Sequence, residues 1–117
     1  MKLVTNLVVD SLQDVAEPAK RIEELGFEAL YISERKHDPF MQLSVAATAT
    51  HRIKLGPEVA LAFPRNPMVL AYSSWDLQNA TNGRFVLGLG RFFPLAQFLF
   101  IKTRFQHLHG LGPVLVL

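Results

Sequence analysis

The densest group of reactive side chains lies in the hexapeptide Ser33-Glu34-Arg35-Lys36-His37-Asp38, where five of the six residues are ionisable. An imidazole titrates near neutral pH, so His37 could donate a proton, and the carboxylate of Glu34 could orient it or hold a donor group of a cofactor. The alternative is a solvated turn in which His37 only caps the helix that follows, because charged loop residues commonly face water. The residue types leave both interpretations open.

Two further segments could contact a ligand. In Phe63-Pro64-Arg65-Asn66-Pro67, Arg65 precedes a predicted helix start, where an anionic group is favoured, although an ordinary surface arginine fits as well. Gly88-Leu89-Gly90 allows a ligand close to the backbone, but it lacks the third glycine of a dinucleotide fingerprint. Because the chain has no cysteine and no set of three ligands at a sensible spacing, we predict no metal site.

Four apolar runs predict the β-strands that position these segments: residues 3–9, 27–33, 53–61 and 85–90. Gly56-Pro57 interrupts the third run, which indicates an irregular strand end or a bulge. The runs lack clean alternation, which is typical of strands buried on both faces. Helical patterns lie between them, so the strands are expected to be parallel, and the loops that leave their carboxyl ends then share one rim. An open doubly wound sheet and a segment of a barrel both have this order of elements.

The helices are predicted from their start signals. Asp14 and Glu17 have the spacing of a capping box, while Asp38-Pro39 and Asn66-Pro67 each place a capping side chain before a proline at the first helical position. Two aromatic residues of the third helix are predicted to pack in the core or against a helix rather than to contact a cofactor: Tyr72 and Trp75.

The composition bounds what the chain can be. Its 117 residues are fewer than the roughly 250 of a complete eight-fold βα barrel. Half of the residues are hydrophobic and 19% are charged, which predicts a soluble, core-forming domain rather than a disordered one. The apolar runs are shorter than the about 20 residues that a membrane span needs, and no signal-peptide pattern is visible. We therefore expect a cytoplasmic protein that does not bind a membrane.

The last segment, residues 91–117, differs from the rest of the chain. It holds five of the nine phenylalanines and three basic residues but no acidic residue, a formal charge of +3. Residues 1–90 hold nine basic and ten acidic residues, which gives 9 − 10 = −1. The basic excess is thus a property of the tail, and no nucleic-acid-binding face is expected. Because the tail shows neither helix caps nor strand alternation, we predict an atypical apolar segment that does not match the preceding fold, as translation past a frameshift would produce.

Five motifs occur in residues 1–90 in a characteristic order and spacing. They are Glu23-Glu24-Leu25-Gly26-Phe27, His37-Asp38-Pro39-Phe40, Arg52-Ile53-Lys54-Leu55-Gly56, Ala62-Phe63-Pro64-Arg65-Asn66-Pro67 and Gly83-Arg84-Phe85-Val86-Leu87-Gly88-Leu89-Gly90. Together they resemble the luciferase-like monooxygenase family, and most closely its branch that uses the deazaflavin coenzyme F420. The resemblance implies an α/β fold, a partial TIM barrel whose first four βα units and parallel strands lie in residues 1–90.

The resemblance also implies a function and a site. Family members use F420 for hydride transfer or reduced FMN for oxygen insertion, on small organic substrates. A non-proline cis peptide behind the ring maps onto Glu58-Val59. Glu34 matches the family's acid and is assigned to catalysis with His37, although Arg35 stands where the family has histidine, and Arg91-Phe92-Phe93 replaces a Glu or Gln beside the ring. The implied cofactor contacts are Glu58, Val59, Ala60, Leu61, Gly88 and Gly90.

The leading hypothesis is therefore a flavin- or deazaflavin-dependent oxidoreductase fragment. Four strands cannot close a barrel, so the isolated chain is expected to be truncated and inactive. One alternative is a non-catalytic half-barrel that forms a homodimer, or binds a protein partner, through its open face. Another is a complete flavodoxin-like domain, which would require the tail to add a fifth strand and a helix.

Overall fold

The computed structural model of the chain describes residues 2–90 and 114–116. Strands and helices alternate along most of this range, and a short 3₁₀ turn at Leu12–Asp14 lies between the first strand and the first helix. The strands are β1 Val4–Asn6, β2 Ala29–Ile32, β3 Lys54–Pro57, β4 Ala60–Leu61, β5 Leu87–Gly90 and β6 Val114–Val116. The helices are α1 Ala16–Glu24, α2 Pro39–Ala49 and α3 Pro67–Ala80.

All strand pairs are parallel, which confirms the predicted fold class. One sheet has the order β1-β2-β3 and the other the order β4-β5-β6. A single parallel bridge between Leu55 and Phe85 joins them, and the Val86 amide donates to the Leu55 carbonyl at 2.8 Å. The carboxyl ends of the strands therefore share one rim, as βα connectivity requires.

The interrupted strand predicted at residues 53–61 is in fact two strands. β3 ends at Pro57, β4 begins at Ala60, and the peptide bond between Glu58 and Val59 is cis, as the family resemblance implied. The Glu58 amide still donates to the Ile32 carbonyl of β2 at 3.0 Å. The interruption thus lies where the chain leaves the first sheet for the second.

Two of the three predicted helix starts are confirmed. Asp38 caps α2 by accepting from the Phe40 amide at 2.9 Å, and Asn66 caps α3 by accepting from the Met68 amide at 2.8 Å. The capping box at Asp14 is wrong, because Asp14 belongs to the 3₁₀ turn, whose cap is Ser11. Helix α1 begins after that turn without a side-chain cap.

The hydrophobic core lies between the sheet and the helices. Leu30, Leu55 and Phe85 are almost fully buried there, together with residues of α1 and α2. Because side chains alternate along a strand, the intervening residues project from the opposite face. We call this second surface the open face: Val4, Asn6, Val8, Tyr31, Ser33, Val59, Leu61, Gly88 and Gly90.

The helices differ in their outer surfaces. Five of the nine residues of α1 are charged, as expected of a helix that faces water, whereas α2 has no charged residue and α3 only Asp76. Of the two positions predicted for Tyr72 and Trp75, the core is wrong, because their exposed fractions are 63% and 45%. Within residues 2–90 and 114–116, no helix has the length and apolar composition needed to cross a membrane.

The tail contributes one described element. β6 pairs in parallel with β5, with Leu87 opposite Val114, although no strand was predicted in this segment. The remaining tail positions, 91–113 and 117, lie outside the described residues, so the predicted division of the chain at residue 90 stays a prediction.

Candidate active site

The open face carries polar side chains near the carboxyl ends of β1 and β2. The amide Nδ2 of Asn6 donates to the hydroxyl of Ser33 at 2.8 Å, and Tyr31 lies beside Asn6 in the strand register. Strand β1 thus ends next to the hexapeptide that the sequence marked as reactive. This rim is where ligands bind in parallel βα architecture.

Glu34, in the hexapeptide, contacts residues 58–61, the segment that the family resemblance places behind the cofactor ring and that we call the ring-backing segment. Its Oε2 accepts from the backbone amide of Leu61 at 2.7 Å and from Nη1 of Arg65 at 2.5 Å. The structure therefore brings the loop after β2 and the segment 58–61 into direct contact, as parallel pairing of the strands predicts.

Arg65 is neither an unpaired anion-binding residue nor an ordinary surface residue. Its guanidinium contacts Glu34 and, at 3.3 Å, Asp38, and its side chain is only 16% exposed. The same group lies 5.2 Å from the centre of the Phe40 ring, within cation–π range. These two acids thus neutralise the positive charge of Arg65, which the sequence analysis had suggested could bind an anionic ligand.

His37 lies on a different side of the rim. Its Nε2 is 3.9 Å from Oδ1 of Asp10, in the loop after β1, and its side chain is 47% exposed. Within residues 2–90, no hydrogen bond or ion pair joins His37 to Glu34, so the structure does not bring these two predicted site residues together. The carboxylate positioned near this imidazole is Asp10.

A pocket of about 240 Å³ opens beside His37. It lies between the loop after β1 and the start of α2, where the buried Gln42 donates from Nε2 to the Val9 carbonyl at 3.1 Å. Its lining residues are Asp10, Ser11, Leu12, His37, Asp38, Met41 and Gln42. The imidazole could therefore exchange a proton with a small molecule in this pocket.

The four residues predicted to back a flavin ring do not all face the same way. Ala60 is fully buried in the core against the helices, so any contact from Ala60 with a ring would have to come from its backbone. Val59 and Leu61 are half-buried on the open face, and Glu58 is exposed. The segment thus offers two apolar side chains with a carboxylate at its edge.

The two predicted glycines serve close contacts within the sheet. A Cβ atom on Gly88 would lie 2.3 Å from the Pro57 carbonyl oxygen and 3.7 Å from Cγ1 of Val59. The carbonyl of Gly90 accepts from the Ala62 amide at 3.0 Å. Gly88 therefore lets β5 approach the interruption between β3 and β4, whatever else it contacts.

Tyr31 is a candidate site residue that the sequence analysis missed. Burial raises the pKa of its phenol, and the negative charges of Glu58 and Glu28 raise it further. The phenol thus stays protonated and can donate a hydrogen bond on the open face. Every second residue of this strand, at Ala29, Tyr31 and Ser33, lies on the same face, and this spacing could have pointed to Tyr31. The apolar Leu30 and Ile32 between them made the strand appear uniformly apolar.

These residues fit a flavin-type ring in chemistry. A planar tricyclic ring needs an apolar surface and a few hydrogen-bonding groups, and the open face combines Val59, Leu61 and Gly88 with the amide of Asn6 and the phenol of Tyr31. A metal ion would need several ligating side chains close together. Within the described residues, no three His, Cys, Asp or Glu side chains cluster closely enough to hold an ion.

The chain is similar to several known proteins. An uncharacterised protein of Mycobacterium tuberculosis (strain ATCC 25618 / H37Rv) is 43% identical over 83 residues, which cover 71% of this chain and 24% of that protein. The coenzyme F420-dependent tetrahydromethanopterin reductase of Methanopyrus kandleri superposes with a TM-score of 0.70 at 28% identity, over 76% of this chain and 26% of the reductase. The matched part of the chain thus spans about a quarter of the length of these relatives.

A third relative shows the fold alone. The oxygenating constituent of 3,6-diketocamphane monooxygenase from Pseudomonas putida, solved in complex with FMN, has a TM-score of 0.65 at 23% identity, over 80% of this chain and 30% of that one. The structural neighbours are TIM-barrel enzymes of the luciferase-like type, which confirms the predicted fold.

The sequence profile described as luciferase-like monooxygenase matches residues 2–106, a range that includes nearly the whole described domain and extends past Gly90. This match covers most of the chain. The parallel strands, the cis peptide and the contact between the two rim loops accord with it. The chain belongs to the luciferase-like monooxygenase family.

Proposed function

We propose that this chain supplies the first βα units of an oxidoreductase that binds F420, or alternatively FMN, against its open face. The reaction is hydride transfer, or oxygen insertion, on a small organic substrate. The observation that carries the proposal is the 2.7 Å hydrogen bond from the Leu61 amide to Glu34, because it joins the two rim loops that a single ring would have to contact. When bound, the cofactor would supply the hydride or the activated oxygen.

The chain's own residues have distinct parts in this proposal. Val59 and Leu61 offer the apolar surface behind the ring, with Glu58, Ala60, Gly88 and Gly90 around it. His37, beside Asp10, would exchange a proton with a substrate in the adjacent pocket. Glu34 lies at the rim, where it binds the Leu61 amide.

A cofactor titration tests the proposal directly. FMN fluorescence and F420 fluorescence would each be followed as the purified full chain is added. Binding by either cofactor with a micromolar dissociation constant supports the proposal, and preference for F420 identifies the branch. Absence of binding by both would reject cofactor binding by this chain. Because relatives are about three times longer, we expect binding to be weak and turnover to be absent.

A second candidate function is a non-catalytic half-barrel that pairs with another copy through the open face. Two apolar side chains favour it: Val4 and Val8, whose exposed fractions are 57% and 63%. Parallel sheets are almost always covered on both faces, whereas in residues 2–90 the helices cover only one face of the sheet. Light scattering distinguishes a homogeneous dimer, which favours pairing, from a monomer, which excludes it.

A further inference from the structure

Both backbone polar groups of Leu61 are held by side chains. Its amide donates to Oε2 of Glu34 at 2.7 Å, and its carbonyl accepts from Nη1 of Arg65 at 2.8 Å. Glu34 and Arg65 also contact each other at 2.5 Å. The three residues thus form a closed ring of hydrogen bonds that links positions 34, 61 and 65.

This arrangement occurs where the sheet is interrupted. β2 and β3 remain paired up to Ile32 and Pro57, and β4 is paired with β5 from Ala60 onward. In a parallel sheet the amide and carbonyl of one residue point to the same neighbouring strand. Glu34 and Arg65 therefore occupy the place that a strand would take beside Leu61, and they satisfy the groups that the interruption leaves open.

The environment of the pair favours its persistence. Both side chains are 16% exposed, less than typical surface ion pairs, so water screens them less. Arg65 is further held by Asp38, which at the same time caps α2. Movement of the guanidinium would thus disturb the end of β4 and the start of α2 together.

We propose that Glu34 and Arg65 are positioning residues that fix Leu61 and its neighbours against the cofactor ring. This inference rests on the proposed function and deepens it. It changes the role assigned to Glu34, because the carboxylate oxygen that reaches the ring-backing segment is occupied by a guanidinium and a backbone amide. Glu34 acts through Leu61 rather than by transferring a proton.

Amide hydrogen exchange and cofactor titration of the full chain test this role. Glu34→Ala, Arg65→Met and the double variant would be compared with Glu24→Ala and Arg35→Met, which alter exposed residues of the same types. We expect exchange at the Leu61 amide to become at least tenfold faster in both single variants, with little change in either control. The dissociation constant for FMN or F420 should rise at least tenfold, and the double variant should resemble the singles, since the residues act as one unit.

Several outcomes would overturn the inference. Unchanged exchange at Leu61 in Arg65→Met would do so, as would additive losses of affinity in the double variant. Where Arg65→Met does not fold, Arg65→Gln, which removes the positive charge but keeps a polar side chain, is measured instead, and unchanged exchange at Leu61 again overturns the inference. If the unaltered chain binds neither cofactor, the proposed function fails, but exchange at Leu61 still shows whether the pair holds the segment.

Discussion

The carboxylate of Glu23 in α1 lies 2.9 Å from the backbone nitrogen of Ile53, 30 residues further along the chain. It also accepts from the amides of His51, at 3.0 Å, and Arg52, at 2.7 Å. One acid thus binds three consecutive amides of the turn that leads into β3. Glu23 is 9% exposed, so water cannot replace these bonds without opening the turn.

Substitution of Glu23 by glutamine is expected to destabilise the domain by about 3 kcal/mol, because hydrogen bonds to a charged group contribute about 1.5–3 kcal/mol each and are not additive. The amide of glutamine offers one neutral oxygen to three donors and places an NH₂ group against them. Urea unfolding of the variant and of Glu24→Gln, an exposed neighbour, measures the difference. A loss equal to that of the control would contradict the structural role of Glu23.

The contribution of Glu23 should also depend on pH. Burial acts to raise the pKa of Glu23, but the hydrogen bonds from Ile53, Arg52 and His51 outweigh it and lower the pKa below 4.5. A carboxyl with a lower pKa in the folded state adds stability above its unfolded pKa and loses that stability as the pH falls through the folded value.

The difference in unfolding free energy between the unaltered chain and Glu23→Gln should accordingly be constant from about pH 7 to pH 5 and shrink below about pH 4.5. Urea unfolding at a series of pH values checks this. A difference that declines between pH 7 and pH 5 would mean that the pKa of Glu23 is raised instead.

Local signals predicted the helices better than the strands. Asp38-Pro39 and Asn66-Pro67 were sufficient because a cap and its amide lie two residues apart. Gly56-Pro57 indicated an irregular third strand, but the position of the cis peptide at Glu58-Val59 came from the family resemblance. The pairing of β4 with β5 could not be predicted locally, because it joins residues far apart in sequence.

The candidate site was predicted less completely for the same reason. The partner of Arg65 is 31 residues away, and no spacing rule connects it to Glu34. The carboxylate near His37 is Asp10, in a loop that the sequence analysis did not consider. The rim itself was predictable, because parallel connectivity alone gathers the loops there.

Gly88 is expected to tolerate no side chain. Alanine at this position would place a Cβ 2.3 Å from the carbonyl oxygen of Pro57, a backbone atom that cannot move without disturbing β3. Gly88→Ala should therefore cost about 1–3 kcal/mol, as overpacking does in a tightly packed core. Thermal unfolding measures it, with Asn79→Ala on the exposed surface of α3 as the control. A variant as stable as the control would show that β5 and the β3 end can separate freely.

The surface through which copies would pair can be identified with two matched lysine substitutions. Val8 on the open face and Tyr72 on α3 are each 63% exposed, so either change introduces a charge on an equally accessible apolar side chain. If the chain pairs through the open face, Val8→Lys should raise the dimer dissociation constant at least tenfold, about 1.4 kcal/mol, because the ammonium would be buried at the interface. Tyr72→Lys should leave the dimer intact. Light scattering over a range of concentrations measures both. A monomer produced by Tyr72→Lys but not by Val8→Lys would place the contact on the outer surface of α3 and exclude pairing through the open face.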